Sequence, residues 1–108
     1  MKNKKFKNEG DVKKEVKKLL TKYDAWFYMP VQTGYGVHGI PDFVACVSHH
    51  FVSIETKFKN NKLSAYQEMQ GEKIQDAGGL FLVINEGNLD TLDAVLSGLS
   101  SLTDRQEV

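Results

Sequence analysis

Apolar residues change their spacing repeatedly along this chain, and each change marks where one element ends and another begins. From about Glu9 to Tyr23, the residues Val12, Val16, Leu19, Leu20 and Tyr23 recur at helical spacing. Trp26 to Met29 is a short aromatic run ending at Pro30, which suits a strand. A loop with three glycines follows, Gln32-Thr33-Gly34-Tyr35-Gly36-Val37-His38-Gly39. Phe43 to Val47 and Phe51 to Lys57 are β-rich runs around Ser48-His49-His50, and they read as a hairpin. Ser64 is a good N-cap for a helix from about Ala65 to Ala77, closed by Gly78-Gly79. Leu80 to Ile84 is apolar throughout, as a central strand covered on both faces would be. A last helix is predicted from Asp90 to Leu99. The order α-β-β-β-α-β-α predicts an α/β fold, one mixed four-stranded sheet flanked by helices.

Composition narrows this only a little. The 108 residues suit one domain, divided as a basic flexible arm (1–8), a single domain (9–102) and a polar tail (103–108). No apolar run approaches a membrane span, and the Lys-rich start lacks the apolar stretch of a secretory signal, so an intracellular protein is expected. The lone Cys46, among Val44, Ala45 and Val47, reads as a small buried hydrophobe. Charge is more informative. The net charge is zero, yet residues 1–67 hold 12 Lys and 6 acids, while residues 68–108 hold Lys73 and Arg105 against 8 acids. A polyanion would therefore dock on the N-terminal side, although a solvated helix face accounts for the same charges.

The stretch that carries chemistry is Gly39-Ile40-Pro41-Asp42, followed thirteen residues later by Glu55-Thr56-Lys57. Charges inside apolar strands are costly unless paired or bound to metal. Glu55 and Lys57, two apart on a strand, leave the same face of the sheet. If the hairpin pairs Asp42 with Lys57, all three converge at one end; a register shifted by one residue sends Asp42 to the other face, and the sequence leaves this open. Two carboxylates there suit Mg²⁺ or Mn²⁺, and an adjacent Lys suits phosphodiester hydrolysis.

Taken together these residues resemble the PD-(D/E)xK nuclease superfamily, and within it the VRR-NUC family. The resemblance runs through Gly36-Val37-His38-Gly39-Ile40-Pro41-Asp42, Phe51-Val52-Ser53-Ile54-Glu55-Thr56-Lys57, Leu63-Ser64-Ala65-Tyr66-Gln67 and Asp76-Ala77-Gly78-Gly79. It implies a restriction-endonuclease-like core and a small stand-alone, phage-type DNA endonuclease that is structure-directed and can act as a homodimer. By the same resemblance Asp42 and Glu55 match metal ligands with the Thr56 carbonyl as a third, Lys57 matches the catalytic lysine, and Gln67 a glutamine facing the site. Thr56 departs from the pattern, where a small apolar residue is commoner; its side chain is expected to point away from the site.

The resemblance also asks for a glutamate on the first helix. At 100° per residue from Val16, Glu9 falls near +20°, inside the apolar face, and Glu15 near −100°, on its edge, which favours Glu9. The loop glycines fit no dinucleotide fingerprint, so no nucleotide cofactor is expected. Tyr35 and His38 in that loop, with Lys4, Lys5 and Lys7, are candidate DNA contacts, whereas His49 and His50 are expected to be solvent-exposed at the hairpin turn.

Three readings compete: a metal-dependent DNA nuclease acting on branched, flap or junction DNA, a catalytically silent nucleic-acid binder, and an acidic nucleic-acid mimic that inhibits a basic partner. The intact Asp/Glu/Lys trio favours the first. Symmetric cutting of a four-way junction would need two sites and so a dimer. The apolar segment Leu92, Val95, Leu96, Leu99 and Leu102 could supply that interface or cap the monomer's own sheet.

Overall fold

The computed structural model describes residues 5–32 and 36–103. Its elements are α1 (Glu9–Lys22), β1 (Trp26–Tyr28), β2 (Phe43–Val47), β3 (His50–Thr56), α2 (Ala65–Asp76), β4 (Leu80–Ile84) and α3 (Leu89–Thr103), the order the spacing predicts. Helix α1 starts where the Asn8 side chain accepts the Asp11 N–H at 3.0 Å, satisfying one of the free amides of the first turn. Its Val12, Val16, Leu19 and Leu20 enter the core. Within the segment read as an arm, Phe6 packs against that core as well.

The sheet runs β1-β2-β3-β4. β1/β2 and β2/β3 are antiparallel, and β3/β4 is parallel through the α2 crossover. The hairpin between β2 and β3 turns on Ser48 (φ 50°) and His49 (φ 76°), two residues in the left-handed region as a tight two-residue hairpin requires. Helices α1 and α3 share the core with Phe43, Ala45, Val47, Val52, Ile54 and Ile84, on one face of the sheet. Helix α2 lies toward β4, and its buried Gly71 leaves room for Phe81: a Cβ there would meet the ring, with Cζ only 2.9 Å away.

Two details depart from the sequence reading, and a third decides between alternatives it left open. Leu80–Ile84 is not a central strand but the last of the sheet; it is apolar because the core takes Leu80, Leu82 and Ile84 while α2 packs over Phe81. Cys46 is exposed, not buried. Strand parity sends Phe43, Ala45 and Val47 to the core and Cys46 to the opposite face, between Trp26 and Phe51, which are themselves 63% and 45% exposed. The unbroken run Val44-Ala45-Cys46-Val47 hides that alternation. Finally, Leu92 and Leu96 are fully buried and Leu99 packs beside them, so the C-terminal helix caps the monomer's own sheet. Tyr23 Oη donates to Asp93 at 2.6 Å and ties α3 to the end of α1. Among the described residues no helix is long and apolar enough to cross a membrane.

Candidate active site

The hairpin register decides which charges meet. Phe43 pairs with Ile54, and continuing the ladder by one residue sets Asp42 opposite Glu55 rather than Lys57. That is a shift of two from the pairing considered above, so face parity is preserved and the trio still gathers at the C-terminal end of β3.

Glu55 is the centre of the cluster and only 3% exposed. Its Oε2 accepts from Gln67 Nε2 at 2.8 Å and lies 3.7 Å from Lys57 Nζ. Its Oε1 is buried and has no hydrogen-bond partner of good geometry among the described residues. Burial, with the Asp42 charge beside it, pushes the carboxyl up to about 7; Lys57 and the Asp42 backbone N–H pull the other way. Lys57 is anchored through its own N–H, which donates to the Ile84 carbonyl at 2.9 Å.

Gln67 reaches Glu55 because of the way α2 begins. The Ser64 hydroxyl accepts the Gln67 N–H at 3.1 Å, and Gln67 Oε1 accepts the Ser64 N–H at 2.8 Å, a capping box. With its carbonyl oxygen held by the cap, the amide presents its NH₂ to Glu55. The loop before β2 is seated on this same helix start. Gly39, at φ +83°, lies so close that a Cβ would be 2.8 Å from Gln67 N. Beside it the rings of His38 and Tyr66 stand 5.0 Å apart, both exposed, next to the Gln67 turn.

Asp42 is held from the other side. Thr56 donates twice to Asp42 Oδ2, from its backbone N–H at 2.9 Å and from its hydroxyl at 2.6 Å. The expectation that the Thr56 side chain points away from the site is therefore wrong. It lies on the α1 side of the sheet, where it also comes within 3.5 Å of Glu9 Oε2. Glu9 is the helix carboxylate at the cluster; Glu15 is buried elsewhere on α1 and bonded to Lys18 at 3.3 Å. Lys13, which the sequence reading passed over, sits 3.6 Å from Glu9 Oε2 and 3.8 Å from Asp42 Oδ1. The helical arithmetic that selects Glu9 places Lys13 near +60°, next to it on the inward edge, so the signal was present.

Among the described residues no three His, Cys, Asp or Glu side chains cluster as a self-sufficient metal cage. The available donors are Asp42, Glu55 and a backbone oxygen, and they fit a hard divalent cation. The orphaned Glu55 Oε1 supplies an unsatisfied buried acceptor. The β2/β3 pairing ends at Phe43 and Ile54, and beyond it the Thr56 N–H turns to the Asp42 side chain, with the Thr56 carbonyl as the candidate third donor.

The remaining candidates fall elsewhere. Lys5 and Lys7 line a groove with Phe6, Asp11, Lys14 and Lys18, beside Glu15 rather than Glu9. Lys4 and Tyr35 lie outside the described residues. His49 is exposed as expected, but His50 is half-buried with Nδ1 2.8 Å from the Ser48 carbonyl. Both line a cleft of about 610 Å³ at the opposite end of β3, with Phe51, Lys73, Ile74 and Leu80.

A solved structure described as "VRR_NUC domain" is similar to this chain, with a TM-score of 0.63 and 18% sequence identity over 92% of this chain and 97% of that one. The fold is that of a VRR_NUC domain. No family model and no curated protein matches the sequence. The likeness extends over nearly the whole chain.

Proposed function

We propose that this protein is a metal-dependent DNA nuclease of the VRR-NUC type, with Asp42, Glu55 and Lys57 at its active centre. The observation that carries the proposal is Glu55: a buried carboxylate beside Asp42, with one oxygen unsatisfied, is costly to the fold unless a cation compensates it. The VRR_NUC fold supports the same reading.

Mg²⁺ or Mn²⁺ bound by Asp42, Glu55 and the Thr56 carbonyl would supply Lewis-acid activation of water and of the phosphodiester. The chain's own residues do the rest. Lys57 Nζ, 3.7 Å from Glu55, orients the attacking water and steadies negative charge developing on the phosphate. Gln67 holds Glu55 Oε2, which leaves Oε1 as the oxygen for the cation to satisfy. Glu9 and Lys13 complete the polar rim on the α1 side.

We assign the substrate as DNA recognised by its shape, such as a flap, branch or junction, through contacts to its phosphates. Exposed His38 and Tyr66 beside Gln67 are placed to contact such a strand. Leu92 and Leu96 are committed to the core, so a dimer cutting a junction symmetrically would have to use another surface. The test is cleavage of labelled duplex, single-stranded, flap and four-way-junction DNA in Mg²⁺, in Mn²⁺ and in EDTA. Metal-dependent cutting that favours a branched form is expected. Equal cutting of all four forms would remove the shape-reading part, and binding without cutting would favour the silent binder.

A further inference from the structure

Thr56 occupies the position between the acid and the lysine of the Glu55-Thr56-Lys57 motif, and its side chain is fully buried. A hydroxyl has one proton to give. Its oxygen is 2.6 Å from Asp42 Oδ2 and 3.5 Å from Glu9 Oε2, so the proton goes to Asp42. The Thr56 backbone N–H donates to the same Oδ2 at 2.9 Å. Both donors are stiff, one an amide in a strand and the other on a β-branched side chain with restricted χ1. Two such bonds to one oxygen lock the plane of the carboxylate and occupy that oxygen's lone pairs. Oδ1 is left turned toward Lys13, 3.8 Å away.

We infer that the Thr56 hydroxyl is a positioning group that selects Asp42 Oδ1 as the oxygen presented to a divalent cation. The inference rests on the metal-dependent reading above and adds to it a role for a side chain outside the Asp/Glu/Lys trio. One residue thereby acts twice: its carbonyl is a candidate ligand, and its side chain sets the orientation of another. Glu9 gains a role as well. Its Oε2 is 3.5 Å from the Thr56 hydroxyl, and Lys13 bridges it to Asp42 at 3.6 Å and 3.8 Å. The hydroxyl is thus the hinge between the α1 carboxylate and the strand carboxylate.

The test compares Thr56→Val, which keeps the shape and removes the donor, with Thr56→Ser, which keeps the donor. The readouts are Mn²⁺ binding to DNA-free protein by electron paramagnetic resonance, and the Mn²⁺ concentration giving half-maximal cleavage. Thr56→Val is expected to weaken Mn²⁺ binding about 10- to 100-fold and Thr56→Ser less than about threefold, with similar melting temperatures for the metal-free proteins. Should Thr56→Val fail to fold, Thr56→Cys carries a weaker donor in a similar volume, and its affinity should fall between those of Val-like loss and Ser-like retention. Wild-type protein that binds Mn²⁺ and cuts DNA, beside a donor-deleted variant with unchanged Mn²⁺ affinity, overturns the inference alone. Wild-type protein that neither binds Mn²⁺ nor cuts any DNA overturns the nuclease reading itself, and this inference with it.

Discussion

The two ends of β3 make opposite use of the same strand. At its start, His50 and Phe51 border a cleft of about 610 Å³ whose other walls include Ile74, Ala77 and Leu80. At its end, Glu55 is buried against Asp42, Lys57 and Gln67. The first end has volume but no carboxylate in its lining, so it offers a hard cation nothing to bind. The second concentrates acids where burial penalises them. On the reading proposed above, the cost of holding charge, not the presence of a cleft, marks the end of β3 that carries the chemistry.

The comparison breaks first on activity. Asp42→Ala, Glu55→Ala and Lys57→Ala are each expected to lower single-turnover cleavage by about a thousandfold or more, while His50→Ala and Lys73→Ala change it by no more than roughly twofold. A large loss from the cleft variants would move the active site to the other end of β3.

The pH dependence of stability sharpens the same contrast. Glu55 has its ordinary value of 4.5 in the unfolded chain and about 7 in the fold, so the folded protein keeps a proton that the unfolded chain releases. Stability of the metal-free protein is then fullest below about pH 4.5 and declines as pH rises toward about 7, by about 3 kcal/mol from this group, with little further change above that. Denaturant melts from pH 4 to 8 measure it. Glu55→Gln should flatten the profile, and added Mn²⁺ should restore stability at the alkaline end. An unchanged profile in Glu55→Gln would mean that this carboxylate carries no such cost.

The support of the site can be loosened without touching its chemistry. Gly39→Ala places a side chain at φ +83° and against the Tyr66 backbone, and is expected to cost about 2 kcal/mol in chemical denaturation. Glu9→Ala should lower cleavage by about tenfold and Glu15→Ala should lower stability instead, since only Glu9 reaches the Thr56 hydroxyl. The smallest effect lies away from the site: Gly98→Ala, with open space around its Cβ on α3, should raise stability by about 0.5–1 kcal/mol and leave cleavage unaltered.

Much of this was legible in the sequence. The spacing of Val12, Val16, Leu19 and Leu20 defines α1, and Ser64 with Gln67 marks the start of α2. Asp42, Glu55 and Lys57 stand out because charged residues rarely interrupt strands. What was not legible depends on register and parity. The Asp42–Glu55 pairing follows from the two-residue turn at Ser48-His49, which carries no glycine to announce it. The exposure of Cys46 depends on which face of β2 lacks a helix, and an all-apolar run cannot show that. Strand alternation opposes Thr56 to Glu55 and aims it at α1 and so at Glu9, a consequence visible only once α1 is placed on that face. Its bond to Asp42 depends further on the direction of the Asp42 side chain, which parity does not set.

The most direct measurement is cleavage of one labelled DNA by wild-type protein and by Lys57→Ala, with Mn²⁺ and with EDTA, alongside Mn²⁺ binding by both. Cutting by the wild type that EDTA abolishes, and no cutting by a Lys57→Ala protein that still binds Mn²⁺, is the expected result. Cutting that persists in EDTA, or at a similar rate in Lys57→Ala, would contradict the assignment of Asp42, Glu55 and Lys57 as a metal-dependent active centre.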